Sequence, residues 1–317
     1  MFRYIRVMLR ALVTGENPPD WADAAARDAG IELVRAGDNR EQDDAVGYVM
    51  NSFGHREPEP VTADVLARMP NLRIVVYLGQ SQEPQDYASF VDLDAIRSAG
   101  IALATTPAGD AVAEAAVGMI IAADLNLVAA ATVPAPVISR RGLAGATLGI
   151  VGLGQIGQRV AEIGGAMGMT VRYASRHEHP EVQGRLNAQR RGLDDLCAES
   201  DFISVHTANS APAGLIGTAL EQSRGAVLVN SASAPNLVDP AALVSSLEAG
   251  NLRRAMVEGH YREPWQGRLA RLGPQRFISL PIYSSWDTPA AREAGWNQAI
   301  TALSAANDAS AIPNRLV

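Results

Sequence analysis

The chain contains no lysine: all 27 of its basic residues are arginine. That absence excludes a Schiff-base amine, a lysine general base and a Walker-type phosphate loop. Cysteine is nearly as scarce. The single Cys197 excludes an internal disulfide and a cysteine-rich zinc site, and in the helical pattern LDDLCAES it reads as a small core residue. No apolar run reaches the roughly 20 residues that a membrane span needs; the nearest, residues 112–125, carries Glu114 and Asp124. Residues 1–10 hold three arginines, but no uninterrupted apolar core or small-residue cleavage site follows. A signal peptide is not expected, and the reading is a cytoplasmic protein. A net charge of −7 offers no basic footprint for nucleic acid.

What is present describes a globular α/β protein. The apolar share of 47% and charged share of 19% suit a sizeable core, and 317 residues suit two domains. Short apolar runs alternate with helical patterns, which points to mainly parallel sheets. Strands are expected at 10–14, 46–51, 72–78 and 101–105, with helices at 21–28, 62–68 and 93–99. Residues 110 to about 130 read as one long apolar helix, packed between domains or subunits. Six further strands are expected at 147–152, 170–174, 202–206, 226–230, 253–257 and 277–281. Thr288 is a good N-cap, with Pro289 at the first helical position, for a final helix to about residue 306.

The stretch TLGIVGLGQIGQR is the most informative. Gly152, Gly154 and Gly157 fall at G-x-G-x-x-G spacing between an apolar strand and an amphipathic helix. There the first glycine permits a tight turn, the second lets backbone approach a pyrophosphate, and the third lets helix and strand pack closely. A purely structural glycine turn is the alternative.

In order along the chain, PNLRIV, GIALATTPAGDAVAEAAVGMII, LAGATLGIVGLGQIGQRVA, LDDLCAESDFISVH, GAVLVNSASAPNLVDPAALVSSLEAGNL, Glu263–Pro264 and the final PNRLV resemble the D-isomer-specific 2-hydroxyacid dehydrogenases. That family includes phosphoglycerate and hydroxypyruvate/glyoxylate reductases. The resemblance implies two Rossmann-like domains with doubly wound parallel sheets. A flavodoxin-like substrate domain would comprise residues 1–107 plus 288–317, with a dinucleotide-binding domain, 108–287, inserted into it. It also implies an active site in the cleft and a homodimer. It places the cofactor on Gly152, Gly154, Gln155, Ile156 and Gly157, on Ser175 and Arg176, on His206 and Thr207, on Ser231 and Ala232, and on Glu258. Substrate contacts fall on Asn51, Ser52, Gly79, Gln80 and Ser81, in loops whose ordinary polar composition is the alternative explanation.

The family's catalytic set is an arginine that grips a carboxylate, a histidine that carries the proton and a glutamate that tunes it. Here Ser233 takes the arginine slot and Ile282 the histidine slot; only Glu263 is kept. Serine cannot grip a carboxylate bidentately, and isoleucine transfers no proton. Candidate replacements are His260 and Tyr283, each with a packing role as the alternative. Tyr261 is another, and so is Glu263 itself, unless it only fixes its loop. His55 in NSFGHREPEP faces the cleft or is a surface histidine. His177 and His179 lack a third ligand, so no metal is expected.

Ser175–Arg176 occupies the slot where an NAD site keeps a carboxylate, so NADP(H) is preferred and NAD(H) remains possible. An exposed arginine in a polar turn is the alternative. Two function classes follow. One is an oxidoreductase acting on a carbonyl or imine bulkier or less charged than a small 2-oxo acid. The other is a non-catalytic NAD(P)-binding module.

Overall fold

The computed structural model describes residues 8–35, 44–54, 56–107, 109–133, 140–232, 234–281, 287–308 and 310–317. His55, Ser233, Ile282 and Tyr283 lie outside the described residues. The chain forms two compact units, Met1–Ala108 with Asp287–Val317, and Gly109–Trp286.

In the first unit, β1 (Leu9–Gly15), β2 (Ile31–Arg35), β3 (Gly47–Asn51), β4 (Ile74–Leu78) and β5 (Ala102–Thr105) form one parallel sheet in the order β2-β1-β3-β4-β5. This is the flavodoxin-like order. β3 and β4 are buried along their whole length, as central parallel strands must be. Only four strands were expected from the sequence. β2 was missed because it is an edge strand, IELVR, with Glu32 and Arg35 exposed and too little apolar signal. The helices α1 (Asp20–Asp28), α2 (Ala63–Ala67) and α3 (Leu93–Ala99) fall where periodicity placed them. Side-chain caps from Thr62 and Asp92 start the latter two. The final helix, Pro289–Asn307, opens as expected, with Thr288 Oγ1 accepting the Ala291 amide at 3.1 Å. The tail then returns to β5: Leu316 N donates to Leu103 O at 2.7 Å, and Ala104 pairs antiparallel with Arg315.

The second unit opens with α4 (Asp110–Leu125) and α5 (Leu127–Thr132). One continuous helix was expected here. It breaks at Asn126, which takes a left-handed conformation (φ 52°) that asparagine tolerates better than most residues. The seven strands are β6 (Thr147–Val151), β7 (Thr170–Ala174), β8 (Gln189–Arg190), β9 (Phe202–Val205), β10 (Ala226–Asn230), β11 (Leu252–Glu258) and β12 (Phe277–Leu280). Between them run α6 (Gln155–Ala166), α7 (Pro180–Leu186), α8 (Leu193–Glu199), α9 (Pro240–Ala249) and α10 (Trp265–Ala270). The two-residue β8, exposed throughout, is the strand the sequence did not reveal.

All neighbours pair in parallel in the order β12-β11-β10-β9-β6-β7-β8. Alternate residues feed two cores. Phe202, Val227 and Val229 join Ala116 and Ile120 of α4 and Val160 of α6 on one face. Ile203, Val205 and Leu228 join Leu196 of α8 and Leu243 of α9 on the other. The apolar character of α4 is thus used on its own sheet.

The amino ends of the strands are knit by charge. Asp124, with its side chain 2% exposed, accepts Arg141 N (2.9 Å), Arg253 Nη2 (2.9 Å), Gly142 N (3.2 Å) and Arg140 Nε (3.3 Å). Burial alone would raise its pKa. These hydrogen bonds and the Arg253 charge outweigh burial and hold it below the ordinary carboxylate value. Asp201 ties Arg141 Nε to Thr147 N, both at 2.9 Å.

Candidate active site

The strand order reverses between β6 and β9, and ligands of such sheets bind at the carboxyl ends beside this switch. β6 runs into Gly152 at φ +93°, where a Cβ would lie 2.6 Å from the His206 carbonyl oxygen. A Cβ on Gly157 would lie 2.1 Å from the Gly152 oxygen. These two glycines are required by close packing. Gly154 differs, since a Cβ there meets nothing within 4 Å. It is the N-cap of α6 and supplies no side-chain cap, so the first amides of the helix, at Gln155, Ile156 and Gly157, have no intrahelical acceptor at its positive end.

Across the switch point the site is polar and unsatisfied. Among the described residues, Thr207 Oγ1 and Ser231 Oγ are buried without a hydrogen-bond partner, a costly state unless a ligand completes it. Asn230 holds the turn between them and Ala234, accepting the Ala232 amide at 3.1 Å and donating to Ala234 O at 3.2 Å. His206 Nε2 pairs with Ser204 Oγ at 2.7 Å, and burial pushes its pKa down to about 3, so the ring is neutral. Glu258 ends β11 fully buried. Open space at a helix N-terminus beside two orphaned hydroxyls fits a dinucleotide.

After β7, Ser175 is partly buried and Arg176 is exposed. Ser175 Oγ lies 3.4 Å from His179 Nε2. Sequence reasoning missed Arg190, whose Nη2 donates to the carbonyl oxygens of Ser175 (2.9 Å) and Arg176 (3.2 Å) and whose Nη1 pairs with Glu178 at 3.3 Å. The consecutive arginines 190 and 191 were its only sequence signal.

On the β11–β12 side, His260 is exposed, with Nδ1 2.7 Å from Ser279 Oγ. Glu263 Oε2 accepts the Gly267 amide at 3.2 Å, which stitches the start of α10. Tyr261 is buried with its hydroxyl toward Val238 O, and burial raises its pKa further. Cys197 is buried too, its thiol pushed up to about 12 chiefly by that burial. The expectations for Ser233 and Tyr283 fall outside the described residues.

In the first unit, the loop groups are occupied by their own backbone. Asn51 donates to Glu16 O (2.9 Å) and accepts Phe53 N (3.2 Å), and Ser52 Oγ donates to Leu78 O. Ser81 accepts the Glu83 amide through Oγ and the Tyr87 hydroxyl through its carbonyl. A Cβ on Gly79 would sit 2.7 Å from the Tyr77 ring, and Gln80 is partly buried beside it. Among the described residues, no group of three or more His, Cys, Asp or Glu is placed to hold a metal.

A flavodoxin-ordered unit interrupted in sequence by a seven-stranded nucleotide-type sheet defines a two-domain α/β dehydrogenase architecture. The NAD binding domain of the D-isomer specific 2-hydroxyacid dehydrogenases matches residues 121–281, and the chain belongs to that family. It carries a domain for a nicotinamide dinucleotide. The D-3-phosphoglycerate dehydrogenase of Mycobacterium bovis is 33% identical over 219 residues, 66% of this chain but 40% of that protein. The matched region thus spans about two fifths of that relative's length. The glyoxylate reductase of Aeropyrum pernix is 32% identical over 223 residues, 64% of either chain. The crystal structure of a Thermus thermophilus protein aligns over 98% of this chain and 100% of its own, with a TM-score of 0.74 and 27% identity. The D-mandelate dehydrogenase of Rhodotorula graminis shares the fold, with a TM-score of 0.81 at 20% identity and 97% of both chains covered.

Proposed function

We propose that the protein is an NADP(H)-dependent oxidoreductase whose altered reaction site reduces a carbonyl or imine bulkier or less charged than a small 2-oxo acid. The observation that carries this reading is the carboxyl edge of the nucleotide sheet, where Gly154 borders open space and the Thr207 and Ser231 hydroxyls are buried and unpaired. Gly154 and the first turn of α6 would hold the pyrophosphate. Thr207 and Ser231 would hydrogen-bond the dinucleotide, with Ala232, Glu258 and neutral His206 lining its nicotinamide end. When bound, that group supplies a hydride.

Support for NADP(H) is the Ser175–Arg176 pair, which puts a hydroxyl and a guanidinium where a carboxylate would repel a 2′-phosphate; Arg190 braces both carbonyls and pairs with the nearby Glu178. Support for the altered substrate is chemical, since Ser233 and Ile282 remove the carboxylate grip and the family's proton carrier. Met1–Ala108 with Asp287–Val317 is then the substrate domain. A homodimer is supported by the partly exposed Ile121, Ala122 and Leu125 of α4 and by Leu127, which is 53% exposed. Light scattering tests it. A single unpaired, buried cysteine suits the cytoplasm, and among the described residues no helix is long and apolar enough to cross a membrane.

Calorimetric titration with NADP(H) and NAD(H), repeated on Arg176→Ala, tests the cofactor. Tighter NADP(H) binding that the variant loses is expected; equal affinities refute the preference. Pyruvate, glyoxylate, hydroxypyruvate and 3-phosphoglycerate should be turned over far below an ordinary rate of about 10 per second. Methyl benzoylformate, an uncharged and bulky 2-oxo ester, should be the better substrate. Tight binding without turnover of any carbonyl or imine would instead identify a binding module.

A further inference from the structure

His260 stands two residues beyond Glu258, where β11 ends. Its Nδ1 lies 2.7 Å from Ser279 Oγ, and the same hydroxyl lies 2.5 Å from the Gly259 carbonyl oxygen. A carbonyl oxygen only accepts, and a serine hydroxyl owns a single proton. That proton goes to Gly259, so Ser279 meets the imidazole with a lone pair, and Nδ1 must carry hydrogen. Nε2 is left as the atom that gains and loses a proton.

Backbone fixes this relay. β11 and β12 pair in register, Val257 with Ser279 and Glu258 with Leu280, and Gly259 N donates to Leu280 O at 2.9 Å. The Gly259 carbonyl and the Ser279 side chain are therefore held by the strand ladder. The other described candidates are committed elsewhere. Tyr261 is packed in the core with its hydroxyl toward Val238 O, and the neutral His206 ring is bonded to Ser204. Glu263, exposed, gives one oxygen to the Gly267 amide and has no partner among the described residues that orients it as an acid.

We infer, resting on the oxidoreductase reading above, that His260 is the proton carrier of this site and that Ser279 is its positioning residue. With a reduced dinucleotide bound, the substrate's carbonyl carbon would accept its hydride, and this chain's own part would be the proton. As the π pair of the C=O bond moves onto oxygen, the Nε2–H of the imidazolium gives that oxygen its proton, leaving a hydroxyl and a neutral imidazole protonated at Nδ1. In the reverse direction neutral Nε2 takes the hydroxyl proton. An orienting hydroxyl and carbonyl do here what a carboxylate commonly does for a catalytic histidine, without adding a negative charge.

The test pairs a spectroscopic readout with a kinetic one. Histidine-¹⁵N NMR of the full chain, with His260→Gln for assignment, reads the tautomer directly. The expected result is Nδ1–H at His260 in the wild type, conversion toward Nε2–H in Ser279→Ala, and restoration in Ser279→Thr. With NADPH and methyl benzoylformate, His260→Gln should lose about 10²–10⁴-fold in kcat. Its KM and NADPH affinity should be unchanged. Ser279→Ala should lose about 10-fold in kcat, rescued by threonine. An Nε2–H tautomer in the wild type, or a His260→Gln enzyme as fast as the wild type, overturns the inference while leaving the oxidoreductase reading intact. No turnover by the wild type despite tight NADPH binding overturns both.

Discussion

The two ends of the seven-stranded sheet are built on opposite principles. At the amino ends, both oxygens of Asp124 and both of Asp201 are taken up by arginines and backbone amides. At the carboxyl ends, two buried hydroxyls have no partner, and a glycine at a helix start borders empty space. One end spends its carboxylates on the fold, with Arg253 Nε the unpaired atom beside them, and the other leaves two hydroxyls for a ligand. Stability and binding should therefore respond to substitutions at opposite ends.

The largest effect is expected from Asp124→Ala, which strands Arg253 and three further donors around a buried site. Breaking a buried pair of this kind costs about 3–5 kcal/mol. The urea midpoint should fall accordingly, while calorimetry on the folded protein at low temperature finds dinucleotide affinity unchanged. A large loss of affinity would show that the two ends are not independent.

Gly157→Ala and Gly154→Ala divide the glycine turn the same way. The first drives a methyl into the Gly152 carbonyl and should cost about 1–3 kcal/mol in thermal or urea unfolding. The second has room, so it should cost only the roughly 0.5–1 kcal/mol of a poorer N-cap, yet its dinucleotide affinity should drop at least about 10-fold as the anion is held off. Equal damage to stability in both variants would break the comparison.

A smaller change is expected for Thr207→Val. Removing an unpaired buried hydroxyl should leave stability unchanged or slightly raised, while dinucleotide binding weakens about 2- to 10-fold for one lost hydrogen bond. A clear fall in melting temperature without a binding effect would assign that hydroxyl to the fold.

The smallest shift, near neutrality, concerns His206. Unfolded, the ring titrates near 6.5; folded, burial depresses it to about 3. Between those values the unfolded chain binds more protons, so this contribution is full above pH 6.5 and is lost as pH falls toward 3. His206→Gln should show a flatter decline of its urea midpoint on mild acidification. Parallel curves would mean that the folded ring takes up its proton freely.

Much of this architecture was legible in the chain because central parallel strands are unbroken apolar runs, and the glycine turn has a fixed spacing. The edges were not. β2 mixes charge with apolar residues, and β8 is two exposed residues long, so neither carries a periodic signal. The break at Asn126 was hidden because the apolar pattern continues through it without glycine or proline. In the sequence Asp124 is only a charge that interrupts a hydrophobic run; its partner Arg253 lies 129 residues away. Likewise His260 was visible as a candidate, but the Ser279 hydroxyl that fixes its tautomer comes from another strand. Sequence spacing could not pair them.

The tail that pairs with β5 also sets an order of assembly. The ladder partner of Leu103 is Leu316, and the whole of Gly109–Trp286 is synthesised between them. As the chain leaves the ribosome, the nucleotide unit can complete its own sheet while the first unit still lacks its last helix and the strand-like tail. Domains generally fold as units during synthesis. A chain truncated before Pro289 and released should therefore hold a protease-resistant nucleotide unit and a first unit that is still open to cleavage. Once the nucleotide unit has folded, it also brings the two halves of the first unit closer together than an unfolded loop of that length would.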